Sequence, residues 1–238
     1  MILEFDAGNT FIKWRTLGGN VNHQGRMLTR DLTSIELPCA DTLSKIELVR
    51  IASVAGDLVN QQLQQKIIAS GLPLPVFAVT QRESHGVINS YTDPSRMGVD
   101  RWLAMLAAYR RCQRACCVVD CGSAITVDYL AEGGKHLGGY IIPGLRLMQK
   151  ALLANTAEIL VDNDIAMFDN SPGRSTSEAV IHGINFAFDA LVKSVVDKRS
   201  SEMDLLITGG DGELFFKLAG CGEYIPDLVM DGLVWGCE

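Results

Sequence analysis

The chain has 238 residues, of which 47% are hydrophobic and 21% charged, and its formal net charge is −7. That length holds one large domain or two of roughly 120 residues, each able to bury a substantial core. The acidic balance argues against bulk binding to nucleic acid or an anionic membrane, but it is compatible with a nucleotide held by a local glycine-rich loop and a metal ion.

The first run, Met1 to Phe5, is apolar and reads as a strand. It has no basic segment of the kind that opens a secretory leader, and no uncharged apolar run in the chain is long enough to span a bilayer, so the cytoplasm is the expected location. A turn at Ala7-Gly8-Asn9 leads to a second strand, Thr10 to Leu17, and the turn residues Gly18-Gly19-Asn20 continue a meander to about Leu28. Leu48 to Val54 is an apolar strand. Asp57 to Ser70 reads as a helix, with Leu58, Leu63, Ile67 and Ile68 set among glutamines, and Gly71, Pro73 and Pro75 stop it. Val76 to Thr80 is another strand. Residues 81–98 are polar and turn-rich, a loop suited to lining a site, and Trp102 to Arg111 is helical.

At Ala115 the pattern starts again. Strand, turn and strand cover Ala115 to Leu130, a hairpin turn falls at Gly133-Gly134, and Gly138 to Pro143 is a third strand. Leu145 to Leu153 is helical, residues 161–176 form a polar loop, and Glu178 to Lys198 is a long helix. Leu205 to Thr208 is a strand, Gly209-Gly210-Asp211-Gly212 a turn, Glu213 to Ala219 a short helix and Leu228 to Gly236 a last apolar helix. Strands followed by alternating helix and strand, run twice, argue an α/β fold of two similar halves, residues 1–114 and 115–238. Of the seven cysteines, Cys112, Cys116, Cys117 and Cys121 crowd together without paired C-x-x-C spacing; they read as small buried hydrophobes, with a zinc site as the alternative.

The repeat carries chemistry. Asp6-Ala7-Gly8-Asn9-Thr10-Phe11-Ile12-Lys13 and Asp120-Cys121-Gly122-Ser123-Ala124-Ile125-Thr126 each place Asp, Gly and a small hydroxyl or amide at a strand end. Glycine lets backbone N–H groups approach phosphate oxygens, aspartates hold Mg²⁺ directly or through water, and Lys13 offers a point charge. Leu206 to Asp211 is a third strand-end loop, whose paired glycines allow a flat ring to approach the backbone. Gly98-Val99-Asp100-Arg101 opens a helix; Asp100 is either an N-cap or a proton acceptor, and Arg101 beside it can bind a carboxylate, with Tyr91 in reach. The four histidines are scattered, and neither a nucleophile elbow nor a Walker P-loop is present.

Asp6-x-Gly-Asn-Thr-x-x-Lys13, Gly98-x-Asp-Arg101, Asp120-x-Gly-Ser-Ala-x-Thr126, Gly138-Gly-x-Ile-x-Pro-Gly144 and Thr208-Gly-Gly-Asp211 together resemble the type III pantothenate kinases. The resemblance runs from Met1 to the tail. It implies two duplicated ribonuclease-H-like, actin-like ATPase domains with a nucleotide cleft between them. It implies transfer of a phosphoryl group from ATP to pantothenate at the start of coenzyme A synthesis. Residues Asp6, Ala7, Gly8, Asn9, Thr10, Phe11, Ile12 and Lys13 match the loop that holds the ATP phosphates, with Asp6 near Mg²⁺. Asp100 matches the proton acceptor, and Tyr91, Gly98, Val99, Arg101 and Thr176 match pantothenate-binding positions. Asp120 matches the ligand of an activating K⁺ or NH₄⁺. Ser123 stands where the family has an ATP-contacting threonine and keeps its hydroxyl. The family is dimeric, and no nucleic acid or membrane partner is implied. Another phosphotransferase or phosphatase of the superfamily, and a non-catalytic accessory factor, are the alternative readings.

Overall fold

The computed structural model describes residues 1–19, 21–34, 37–154 and 168–237. Strand β1 (Ile2–Ala7) alternates two kinds of residue, and the pleat sends them to opposite faces. Leu3, Phe5 and Ala7 are fully buried in an apolar core, while Glu4 and Asp6 lie on the other face. Strand β2 (Phe11–Leu17) pairs antiparallel with β1, setting Asp6 opposite Lys13 and Glu4 opposite Arg15. Strand β3 (Gln24–Leu28) completes the meander, with Arg26 opposite Lys13. A 3-10 turn at Thr29–Ser34 and a one-turn helix α1 (Ala40–Leu43) lead to β4 (Leu48–Ser53), which runs parallel to β1 and sets Arg50 beside Glu4. Helix α2 (Asp57–Ala69) buries Leu63 and Ile67 in the same core and stops before Gly71, whose φ of 75° favours glycine. Strand β5 (Val76–Phe77) adds a parallel edge, giving the order β3-β2-β1-β4-β5.

A small hairpin follows, β6 (Glu83–Ser84) and β7 (Val87–Ile88), then a 3-10 turn at Pro94–Arg96 and helix α3 (Val99–Cys112). The second sheet is built from β8 (Cys116–Cys121), β9 (Ala124–Leu130) and β10 (His136–Pro143). Helices α4 (Leu145–Ala154) and α5 (Thr176–Lys198) come next, then β11 (Asp204–Thr208), helix α6 (Gly212–Ala219) and β12 (Glu223–Tyr224). Its order is β10-β9-β8-β11-β12, with β11 parallel to both β8 and β12. Counted from each sheet's first strand, this is the same order as in the first sheet, so the duplication read from two Asp-x-Gly loops extends to the topology. Its core joins Cys117, Val119, Val127, Val192 and Ile207 to an edge-to-face pair, Phe188 and Phe215, with ring centroids 6.0 Å apart. Helix α5 is long and apolar enough by composition to cross a membrane, yet it contributes Phe188, Val192 and Val195 to this core.

Two compact units result. One comprises Met1–Gln113, Leu130–Gly138 and Asp227–Glu238; the other comprises Arg114–Tyr129 and Gly139–Pro226. The tail forms two short helices, α7 (Leu228–Asp231) and α8 (Leu233–Gly236), where one was expected. They meet at Gly232, where a Cβ would run into the Leu103 carbonyl of α3, so only glycine allows this close approach. Helix α3 starts at Val99, three residues before the expected Trp102, which puts Asp100 in its first turn. Strand β5 is shorter than expected and ends at Phe77; the Val79 N–H donates instead to the Gly236 carbonyl of the tail at 3.3 Å. The loop expected at 161–176 and the turn expected at 18–20 lie partly outside the described residues. The thiols of Cys116, Cys117 and Cys121 are buried on β8, and burial pushes Cys117 up to about 12 and Cys121 higher; Cys39, by contrast, is exposed.

Glu4 is 1% exposed and is matched by Arg15 at 2.8 Å and Arg50 at 3.4 Å. Removing one partner of a buried pair strands the other charge, so Arg15→Met should cost on the order of 3 kcal/mol in urea unfolding, and the double variant Glu4→Gln/Arg15→Met clearly less than the sum of its parts. Additive losses would show that the pair is not coupled.

Candidate active site

The charged face of the first sheet is arranged in rows. Glu4 sits between Arg50 and Arg15, and Arg15 also reaches Asp231 at 2.8 Å and Asp227 at 3.9 Å. One step along the strands, Asp6 faces Lys13, and Lys13 faces Arg26. Beyond Asp6 the backbone turns through Gly8-Asn9-Thr10. The Gly8 N–H donates to the Phe11 carbonyl at 2.9 Å, the Thr29 hydroxyl to the Gly8 carbonyl at 2.7 Å, and the Thr29 N–H to the Thr10 carbonyl at 3.0 Å. The loop is therefore pinned to β2 and to the start of the 3-10 turn at Thr29. Ala7 and Ile12 turn their side chains into the core, which leaves only their backbone for a ligand. Phe11 carries the Arg26 guanidinium over its ring, 3.5 Å from the centroid.

Asp6 is partly buried. Burial pushes its carboxyl from 3.8 up to about 6; Lys13 pulls it back, and Asp100 and Asp227 push it further up. These four groups form one electrostatic cluster assembled from β1, β2, α3 and the tail. Among the described residues no three acids, histidines or cysteines come together to hold a metal ion by themselves, so a divalent cation at Asp6 would share its ligands with phosphate oxygens and water.

The start of α3 is the second element. Gly98 precedes it, and a Cβ there would stand 2.5 Å from the Asp100 carboxylate, so glycine keeps room for that group. An Asp100 oxygen accepts the Arg101 N–H at 2.8 Å. Arg101 is 6% exposed, and its guanidinium donates to the Tyr91 phenol at 2.8 Å. Val99 is buried and offers only backbone. A groove of about 450 Å³ runs beside this helix start, lined by Ser53, Val54, Val79, Met97 and Gly98 among others.

In the second unit, Asp120 ends β8 in register with Thr208 of β11. Gly209 has φ 91°, and a Cβ on it would strike the Asp120 carboxylate and the Cys121 backbone. The Asp211 N–H donates to the Cys121 carbonyl at 2.9 Å, which holds the Gly209-Gly210 turn against the Asp120 strand end. Ser123 is exposed at the β8–β9 turn, and its carbonyl accepts the Gly144 N–H at 3.0 Å. Thr176 is the exposed first residue of α5. Ser175 caps that helix by accepting the Glu178 N–H at 3.2 Å, and the Glu178 carboxylate accepts the Arg174 N–H at 2.6 Å.

The first unit thus joins Asp6, Lys13, Asp100, Arg101 and Tyr91, and the second joins Asp120 to the Gly209 turn. Thr176 belongs to the second unit, and Tyr91 and Arg101 belong to the first. Two further residues escaped the sequence reading. Arg26 needed the register of β3 on β2 to reveal its place beside Lys13. Asp227 needed the packing of the tail, which no local pattern signals.

The sequence model of the type III pantothenate kinases matches residues 2–198. A type III pantothenate kinase from Marinobacter nauticus is 38% identical, over 98% of this chain and 96% of that protein. Among solved structures, a conserved protein assigned to the Baf family of transcriptional activators, from Campylobacter jejuni, has a TM-score of 0.62 at 19% identity, over 98% of this chain and 95% of that one. The activator of 2-hydroxyisocaproyl-CoA dehydratase from Clostridium difficile, solved with bound ADPNP, has a TM-score of 0.50 at 12% identity, over 98% of this chain and 92% of that one. With the repeated strand order, these likenesses identify an actin-like ATPase fold of two ribonuclease-H-like α/β units.

The raised carboxyl of Asp6 has a signed consequence. Below 3.8 it is protonated in both folded and unfolded chains. Between 3.8 and about 6 the folded chain keeps a proton that the unfolded chain has lost, so stability falls as pH rises. Above about 6 the metal-free protein bears the full cost, roughly 3 kcal/mol. Asp6→Asn should therefore unfold at higher denaturant than wild type above that pH, with the gap closing on acidification toward 3.8. A pH-independent gap would contradict the assignment.

Proposed function

The chain belongs to the type III pantothenate kinase family, and from that premise we infer that it phosphorylates pantothenate with ATP, the entry step of coenzyme A synthesis. The observation that carries this reading is the single cluster of Asp6, Lys13 and Asp100, which sets a phosphate-type loop beside a carboxylate at a helix start. The reaction takes ATP with a divalent metal ion. Asp6 would hold that ion, directly or through water, and the ion supplies charge stabilisation on the phosphates. Backbone N–H groups of residues Ala7 to Ile12 and the Lys13 ammonium complete the phosphate contacts, and Ser123 is assigned a further ATP contact.

Arg101 and Tyr91 grip the pantothenate carboxylate, and Gly98 and Val99 line the substrate with backbone. Asp100 holds the acceptor hydroxyl in line and takes its proton as the phosphoryl group moves. A carboxylate is a weak base toward an alcohol and the transition state is loose, so positioning and electrostatics dominate over deprotonation. Asp120 is the ligand of an activating K⁺ or NH₄⁺ ion, beside the Gly209 turn. The active form is a homodimer in which Thr176 serves the neighbour's pantothenate site. Exposed apolar side chains on β10, α4 and α5, among them Tyr140, Ile141, Leu147 and Phe186, supply a surface for it. The two repeats are the two actin-like ATPase domains, the tail from Asp227 completing the first. The protein works in the cytoplasm.

The direct test is a coupled ADP-release assay with pantothenate, ATP, Mg²⁺ and K⁺, omitting one component at a time. ADP release without pantothenate, at the full rate, would point to a different phosphotransferase or a phosphatase. In that assay Asp100→Asn should keep ATP affinity and lose most turnover; activity within about threefold of wild type would remove Asp100 from the mechanism. Exchanging K⁺ or NH₄⁺ for Na⁺ should cut the rate sharply, and equal rates in all three would remove the role given to Asp120.

A further inference from the structure

Tyr91 lies on a loop, and loops of this kind do not hold a phenol in place by themselves. Four groups around it do. The Arg82 guanidinium donates to three carbonyls of the loop: that of Asn89 at 3.4 Å, that of Tyr91, and that of Thr92 at 2.6 Å. Asn89 is buried, and its side-chain oxygen accepts the Tyr91 N–H at 2.9 Å. The ring of Tyr91 stacks on the fully buried His136, with centroids 6.3 Å apart and planes 30° apart. His136 Nδ1 is in turn 2.9 Å from the Ser90 hydroxyl. The result is a phenol whose oxygen accepts from Arg101 at 2.8 Å. Having accepted there, the phenol still carries an O–H that can donate to a ligand, beside an arginine that is 6% exposed.

We propose that Arg82 is the positioning residue of the substrate-carboxylate clamp: its fork fixes the Asn89–Thr92 backbone, and through it the Tyr91 donor that works with Arg101. This rests on the reading of Tyr91 and Arg101 as the pantothenate carboxylate site. The fork explains why arginine stands at position 82. A lysine carries one point charge and cannot span carbonyls that are three residues apart in sequence with a planar donor set. Arg82 itself is exposed and lies outside both cores, so its removal tests the clamp without opening the fold.

The test compares Arg82→Ala, Arg82→Lys and Tyr91→Phe with wild type in steady-state kinetics, varying pantothenate and ATP separately. Arg82→Ala should raise the pantothenate KM about tenfold with the ATP KM unchanged and kcat within about twofold. Arg82→Lys should recover only part of the loss, and the melting temperatures of the two should stay together. If Tyr91→Phe raises the pantothenate KM and Arg82→Ala does not, or if Arg82→Ala lowers kcat and raises both KM values alike, the positioning role is wrong while the Tyr91 site stands. If Tyr91→Phe leaves the pantothenate KM unchanged, the carboxylate site itself is misassigned and the inference falls with it.

Discussion

The pleat of strand β1 is the constraint on which the first unit depends. Because successive side chains alternate faces, Leu3, Phe5 and Ala7 can enter a closed apolar core only if Glu4 and Asp6 lie together on the opposite face. A buried Glu4 demands cations, and Arg15 and Arg50 from the two flanking strands supply them. Arg15 then reaches out to Asp231 and so ties the tail to the meander. That tie sets Asp227 where it raises the Asp6 carboxyl. The electrostatics around Asp6 thus descend from a packing requirement at Glu4 on the same strand.

The second unit repeats the strand order without repeating this arrangement. Its first strand, β8, is buried on both faces from Cys116 to Val119. Near its end, Asp120 is approached so closely by Gly209 that a Cβ there would strike the carboxylate. One strand order therefore carries two surroundings: a first strand with one polar face in the first unit, and a first strand buried on both faces in the second.

Much of this was legible from residues alone. The duplicated Asp-x-Gly turns followed from their apolar strands and glycines, and the helix at 57–69 from spacing and the stop at Gly71; the long helix was expected from Glu178, whereas its Ser175 cap starts it at Thr176. The Gly98-Val99-Asp100-Arg101 start was recognisable as more than a cap because an arginine follows the acid directly. That motif placed the start of α3 correctly, whereas apolar spacing by itself began the helix only at Trp102, because Val99 is a weak helix former that joins the first turn by being buried. The break of the last helix at Gly232 was hidden too, because it answers to the Leu103 carbonyl of a distant helix.

Sequence by itself determined the repeated topology, the strand-end carboxylates and glycines, and the family, because these rest on local period and on residue types at fixed spacing. Tertiary structure alone decided which charges meet. Asp227 beside Asp6, Arg26 beside Lys13 and His136 beneath Tyr91 are each brought together across 20 or more positions or a sheet register that no local pattern encodes. The physical reason is that backbone propensity acts over a few residues, whereas electrostatic and stacking contacts act through space and wait for the core to close.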